Sequence, residues 1–88
     1  MATVYHNRIK VDRVDIYARE SEQDWETISK ELQEHKEIWV HADYETFYGW
    51  GFHSWLKEQL KSLNCTCECI ENDYKGGFPR VFHIKLNN

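Results

Sequence analysis

Glu37-Ile38-Trp39-Val40-His41-Ala42-Asp43 is the stretch on which the fold turns. Ile38, Val40 and Ala42 alternate with Trp39 and His41, the period-two pattern of a strand. Burying the aliphatic set strands no polar group, so Trp39 and His41 turn to the opposite face. A strand with a polar-aromatic second face belongs to a sheet covered on one side only.

The segment before it supplies a cover. Ser21 followed by Asp24 resembles a helix cap, the hydroxyl accepting from an otherwise unpaired backbone N–H. Trp25, Ile28, Leu32 and His35 then recur at helical spacing as one apolar stripe. Glu26, Lys30 and Glu34 lie on the far side at i, i+4 intervals. Ahead of this helix, Val14-Asp15-Ile16-Tyr17-Ala18 reads as a core strand. Ile9 and Val11 have the other parity, which leaves residues 2–12 for an extra N-terminal strand or hairpin.

The segment after it is the most aromatic of the chain. Phe47-Tyr48-Gly49-Trp50-Gly51-Phe52-His53-Ser54-Trp55 carries six aromatic rings, His53 included, in nine residues. From Phe52 a helical pattern is clear, with Phe52, Trp55, Leu56, Leu60 and Leu63 in one arc and His53, Lys57, Glu58 and Lys61 outside it. At about 100° per residue, Trp50 points roughly 160° and Phe47 roughly 140° away from Phe52. Either the helix starts near Trp50 and a turn folds these two rings inward, or both are exposed.

Two alternating segments end the chain. Cys65, Cys67 and Cys69 alternate with Thr66 and Glu68, and Phe82, Ile84 and Leu86 with Val81, His83 and Lys85. Residues 71–77 form the hairpin connection, and Pro79 enters the last strand where a missing N–H is tolerated. The order strand, helix, strand, helix, strand, strand gives an α+β two-layer sandwich. Its mixed four-stranded sheet has both helices on one face, because parallel crossovers are right-handed. The other face is expected to be open and to carry Trp39, His41, Thr66, Glu68, His83 and Lys85.

Eighty-eight residues make a single domain, residues 1–88, and the net charge of −4 is localised. Residues 20–45 hold nine acidic and two basic side chains, whereas the segments on either side are slightly basic. Such a field steers basic partners and opposes nucleic acid. The longest apolar run is far short of the roughly 20 residues that span a bilayer, and the N-terminus has no signal pattern. The expectation is a soluble cytoplasmic protein. Three clustered cysteines are a poor disulfide framework and suit a reducing compartment.

The succession Ile38-Trp39-Val40-His41-Ala42-Asp43, a linker, Gly51-Phe52, a helix, and a hairpin closed by Phe78-Pro79-Arg80-Val81-Phe82-His83-Ile84-Lys85 resembles the TusA/SirA-like sulfur-carrier family. Over residues 14–86 the resemblance implies the βαβαββ order, an Ala-Asp ending the second strand and a Gly-Phe opening the second helix. That family's persulfide chemistry rests on a Cys-Pro-x-Pro signature at the first helix, where a thiolate sits at the positive helix end. Here the position reads Arg19-Glu20-Ser21-Glu22, without cysteine or proline. No catalytic residue carries over.

Candidate chemistry elsewhere is sparse. On a strand the three thiols enter one face about 7 Å apart, which suits small core hydrophobes better than a converging metal cluster. The five histidines, His6, His35, His41, His53 and His83, contain no HxH or HExxH pairing. His41 and His83 on adjacent strands, with Asp43 near, form the one general-base or metal constellation that the order suggests. No catalytic residue, metal or cofactor is expected.

These readings favour a small non-enzymatic interaction or inhibitor protein, by analogy with phage-encoded inhibitors of host enzymes or nucleic-acid-binding complexes. Its partner would be a protein with a basic surface. The acidic first helix (Glu22, Glu26, Glu34) and the aromatic residues Phe47, Trp50, Trp39 and His41 would meet it. One alternative is a TusA-like thiol protein using Cys65, Cys67 or Cys69. Another is a single-stranded nucleic-acid binder on the open sheet face, although only Arg8, Lys10 and Arg13 form a basic group.

Overall fold

The computed structural model describes residues 2–7, 13–43, 49–72 and 79–87. Its elements are β1 (Thr3–Asn7), β2 (Arg13–Ala18), α1 (Glu22–His35), β3 (Glu37–Ala42), α2 (Gly49–Leu60), β4 (Cys65–Asn72) and β5 (Pro79–Leu86). The α+β class and the two helices agree with expectation. The sheet has five strands rather than four, in the order β1-β2-β3-β5-β4. The additional strand is β1, which pairs antiparallel with β2. It lies within residues 2–12, where an extra strand or hairpin is expected, and Tyr5, His6 and Asn7 are all exposed, as an edge strand allows.

Helix α1 begins as its sequence dictates. Ser21 is the N-cap in extended conformation, and its Oγ accepts from Asp24 N–H at 3.1 Å. The Asp24 carboxylate turns inward and accepts from Arg19 N–H at 2.7 Å, so this 1 % exposed acid ties strand β2 to the helix. The helix ends at Lys36, whose left-handed backbone (φ 71°) lets its N–H reach Leu32 O at 2.7 Å. Strand β3 starts at the next residue.

Strand β3 runs parallel to β2 and antiparallel to β5. Ile28 and Leu32 of α1 and Phe52, Leu56 and Leu60 of α2 are buried in one cluster with Val14, Ile16, Ala18, Ile38, Val40, Ala42, Phe82 and Ile84. Each of the larger side chains contributes about 1.5–3 kcal/mol on burial, and together they fix both helices to one side of the sheet. Strand β4 adds Cys65, Cys67 and Cys69, half-buried against the same core opposite Leu86, Ile84 and Phe82. Its register slips between Cys69 and Glu71, and Ile70 at that irregularity is 49 % exposed.

Candidate binding face

The sheet face away from the helices carries one continuous chain of side-chain contacts across four strands. Alternation sets its membership. With Val14, Ile16 and Ala18 inward, Arg13, Asp15 and Tyr17 of β2 point outward. On β3 the outward residues are Glu37, Trp39 and His41. The parallel register then places Asp15 beside Trp39 and Tyr17 beside His41, and the antiparallel one sets Trp39 opposite His83.

Asp15 is the centre of this chain. Arg13 Nε donates to both carboxylate oxygens at 3.0 Å, and Arg13 Nη2 donates to Oδ1 at 2.9 Å. His41 Nε2 lies 2.7 Å from the same Oδ1. A carboxylate accepts only, so the ring carries a proton on Nε2. Burial alone would raise the Asp15 pKa, but the hydrogen bonds from Arg13 and His41 outweigh it and hold the carboxyl below its ordinary value.

Rings extend the chain in both directions. Tyr17 stacks on His41 with centroids 4.2 Å apart, and Tyr5 of β1 meets Tyr17 edge-on at 5.6 Å. On the other side the Arg13 guanidinium covers Trp39 at 4.6 Å, Trp39 stacks on His83 at 4.7 Å, and His83 Nε2 lies 2.6 Å from Glu37 Oε2. Each stacked ring thus gives at least one face to a neighbour, while Tyr5 and Tyr17 remain partly exposed on a surface held by its own contacts.

The residues expected to bind a partner fall on two sides of the molecule. Glu22, Glu26 and Glu34 are exposed on α1, while Trp39 and His41 lie half-buried on the opposite layer. Phe47 lies outside the described residues, as does the Trp50 side chain. The suggested grouping of His41, His83 and Asp43 does not form. Register gives each histidine its own carboxylate, Asp15 and Glu37, and Asp43 lies 3.8 Å from Arg19 instead. Sequence reasoning missed Asp15, Tyr17 and Tyr5, and took Arg13 only as part of a basic group with Arg8 and Lys10. Their outward parity was readable for β2, but their partners depend on the strand order.

Two concavities flank these features. A shallow depression of about 470 Å³ is lined by Thr3, Tyr5, Asn7, Asp15, Tyr17 and Asp43, with Tyr5 57 % and Tyr17 38 % exposed. On the helix side, Cys65 and Cys67 border a second one with Lys57, Leu60, Lys61 and Leu63. Burial, reinforced by the neighbouring Cys65, pushes the Cys67 thiol up to about 11. Burial raises Cys65 as well. Among the described residues no helix is long and apolar enough to cross a membrane.

No family model matches the chain, and no curated protein or solved structure is significantly similar to it.

Proposed function

We propose that this is a non-enzymatic protein-interaction module, of the inhibitor type, that receives a basic partner surface on its open sheet face. A lysine or arginine of the partner enters the depression between β1 and β2. The observation that carries this reading is the pair of exposed rings, Tyr5 and Tyr17, set beside the Asp15 and Asp43 carboxylates on a network already locked by internal contacts. Tyrosine hydroxyl oxygens and carboxylates accept hydrogen bonds from a lysine or arginine, and a preorganised face loses little entropy on binding. The acidic face of α1, with Glu22, Glu26 and Glu34, lies on the other layer and acts at longer range by steering.

Charge and ring placement weigh against nucleic acid. A stacked base needs a free π-face, and Trp39 already contacts both His83 and Arg13 while His41 gives a face to Tyr17. Arg13 is already neutralised by Asp15. A thiol carrier working through Cys67 meets a similar obstacle. Its thiol, near 11, is ionised in only about one molecule in ten thousand at neutral pH, and the thiolate is the nucleophile.

The test is an NMR titration of labelled protein with an oligo-arginine peptide. Amide shifts are expected in β1, β2 and the start of β3, weakened by salt and lost in Tyr17→Ala and Asp43→Asn. Shifts confined to α1, or stronger shifts with an oligothymidine strand, would defeat the proposal.

A further inference from the structure

On the helix-covered side, three metal-ligand atoms converge from two elements. Glu31 and His35 stand one turn apart on α1 and share a face, as residues four apart must. His6 comes from β1, where it pairs with Val14 in the register of the β1–β2 hairpin. Its Nε2 is 3.1 Å from Glu31 Oε1, and His35 Nε2 is 3.6 Å from the same oxygen. All three ligand atoms lie within 4.8 Å of one another. The imidazoles of His6 and His35 meet edge-on with centroids 5.2 Å apart.

The second observation is that these buried atoms make ion-pair contacts but no aligned hydrogen bond. Glu31 is 9 % exposed, and neither its Oε1 nor His35 Nε2 makes a hydrogen bond of good geometry, although they lie 3.6 Å apart. A buried carboxylate oxygen bonded this poorly is costly, so the arrangement calls for an explanation. One protonated histidine donating to Glu31 would leave the other nitrogen unpaired. A divalent cation would satisfy all three at once, because each offers it a lone pair.

We infer that His6, Glu31 and His35 form a binding site for a late first-row divalent metal ion of the zinc class, which clamps edge strand β1 to helix α1. Two imidazoles and one carboxylate are the donors such an ion takes. With bonds of about 2.0–2.1 Å, ligands at the vertices of a tetrahedron stand roughly 3.3–3.4 Å apart. The distances of 3.1 and 3.6 Å bracket that edge. Rotation of the exposed His6 side chain closes the third. Three protein ligands leave a fourth position, and it faces solvent on the His6 side, where the ring is 39 % exposed. The three strand thiols take no part in this site, which is assembled from β1 and α1.

The experiment is a titration of chelator-stripped protein with Zn²⁺ by calorimetry and with Co²⁺ by visible absorption. One ion per chain is expected, with a tetrahedral or five-coordinate Co²⁺ spectrum lacking a thiolate charge-transfer band, and with a rise in melting temperature. A variant with Cys65, Cys67 and Cys69 all changed to Ser should bind as the parent does. Glu31→Gln and His6→Asn should each weaken binding by more than the about 10–100-fold that loss of an outer-shell partner causes, and should abolish the thermal shift. His6→Asn lies on an exposed edge strand, so its far-UV circular dichroism should match the parent even if the helix variant folds poorly. Binding that survives both ligand variants, binding that follows the cysteines, or no binding at micromolar Zn²⁺ each overturns the site.

Discussion

On the open face of the sheet Asp15 is held by an arginine fork and a histidine, every contact within 3.0 Å. On the covered face Glu31 is more deeply buried, yet its Oε1 has no hydrogen bond. Asp24, on the same helix and only two turns away, is buried as well but accepts from Arg19 N–H. Burial alone therefore does not separate these acids. Asp15 and Asp24 each accept a hydrogen bond from the chain, whereas Glu31 Oε1 has ion-pair contacts to His6 and His35 without an aligned hydrogen bond. A buried acid bonded that loosely marks a place where something from outside completes the arrangement.

The largest test asks whether the open face is truly a surface. Phe52 is fully buried between α2 and the sheet, packed against Phe82 at 5.8 Å, so Phe52→Ala should cost about 3–5 kcal/mol in urea unfolding. Trp39 is larger but half-exposed, and Trp39→Ala should cost less than half as much. Equal losses would mean that the open face behaves as a second core and that the proposed docking surface is wrong.

A second test sets the two acids of α1 against each other. Asp24→Ala strands the Arg19 amide and should cost about 1–3 kcal/mol. Glu31→Gln in metal-free protein removes a buried charge that has ion-pair contacts but no aligned hydrogen bond, and should cost clearly less than Asp24→Ala. If both substitutions destabilise alike, Glu31 is tied as firmly as Asp24 and the contrast between them disappears.

A third test uses pH. The Asp15 carboxyl is depressed below its ordinary 3.8, so the unfolded chain takes up its proton first as pH falls. Its contribution is fully present above 3.8 and is lost as the pH drops through the lower folded value. Asp15→Asn should remove that acid-limb dependence and about 1.5–3 kcal/mol at neutral pH, the range for hydrogen bonds to a charged group. His53 adds a separate slope of opposite origin. Burial and nearby Lys57 lower its pKa, so its neutral form is favoured by folding and stability declines below 6.5. His53→Gln should flatten the profile there while leaving the Asp15 limb in place.

Alternation made the open face legible in part. The parity of residues 37–43 assigned Trp39 and His41 outward, and the final hairpin did the same for Thr66, Glu68, His83 and Lys85. The cap at Ser21 and the stripe through Ile28 and Leu32 placed α1 to the residue at its start. What stayed hidden depends on strand order. Nothing local says that Asp15 will sit beside Trp39, because that follows from the parallel register of β2 and β3. An extra strand within residues 2–12 was readable, but its bounds and pairing were not, because an exposed edge strand of Tyr5, His6 and Asn7 lacks the apolar alternation that marks buried ones. The approach of His6 to α1 depends on that pairing and stayed hidden. One signal was available: Glu31 falls three residues after Ile28 and four before His35, inside the apolar arc of the helix, where an acid has no reason to be unless it meets something.

The smallest expected effect lies where the two faces are joined. Lys36 alone separates His35, on the covered side, from Glu37, on the open side. Its left-handed backbone reverses the chain in one residue, and its carbonyl accepts from Leu86 N–H at 2.8 Å, tying the turn to β5. This single residue sets the parity of β3: Glu37 falls outward and Ile38 inward, and the placement of Trp39 and His41 follows. A side chain in that conformation is strained, and the Lys36 side chain is exposed. Lys36→Gly should therefore stabilise the fold by about 0.5–1 kcal/mol, read as a higher urea midpoint at unchanged slope. Inserting a residue after Lys36 should do the reverse. It would ask β3 to bury Glu37, Trp39 and His41 and to expose Ile38 and Val40, and it tests whether the contrast between the faces depends on this turn.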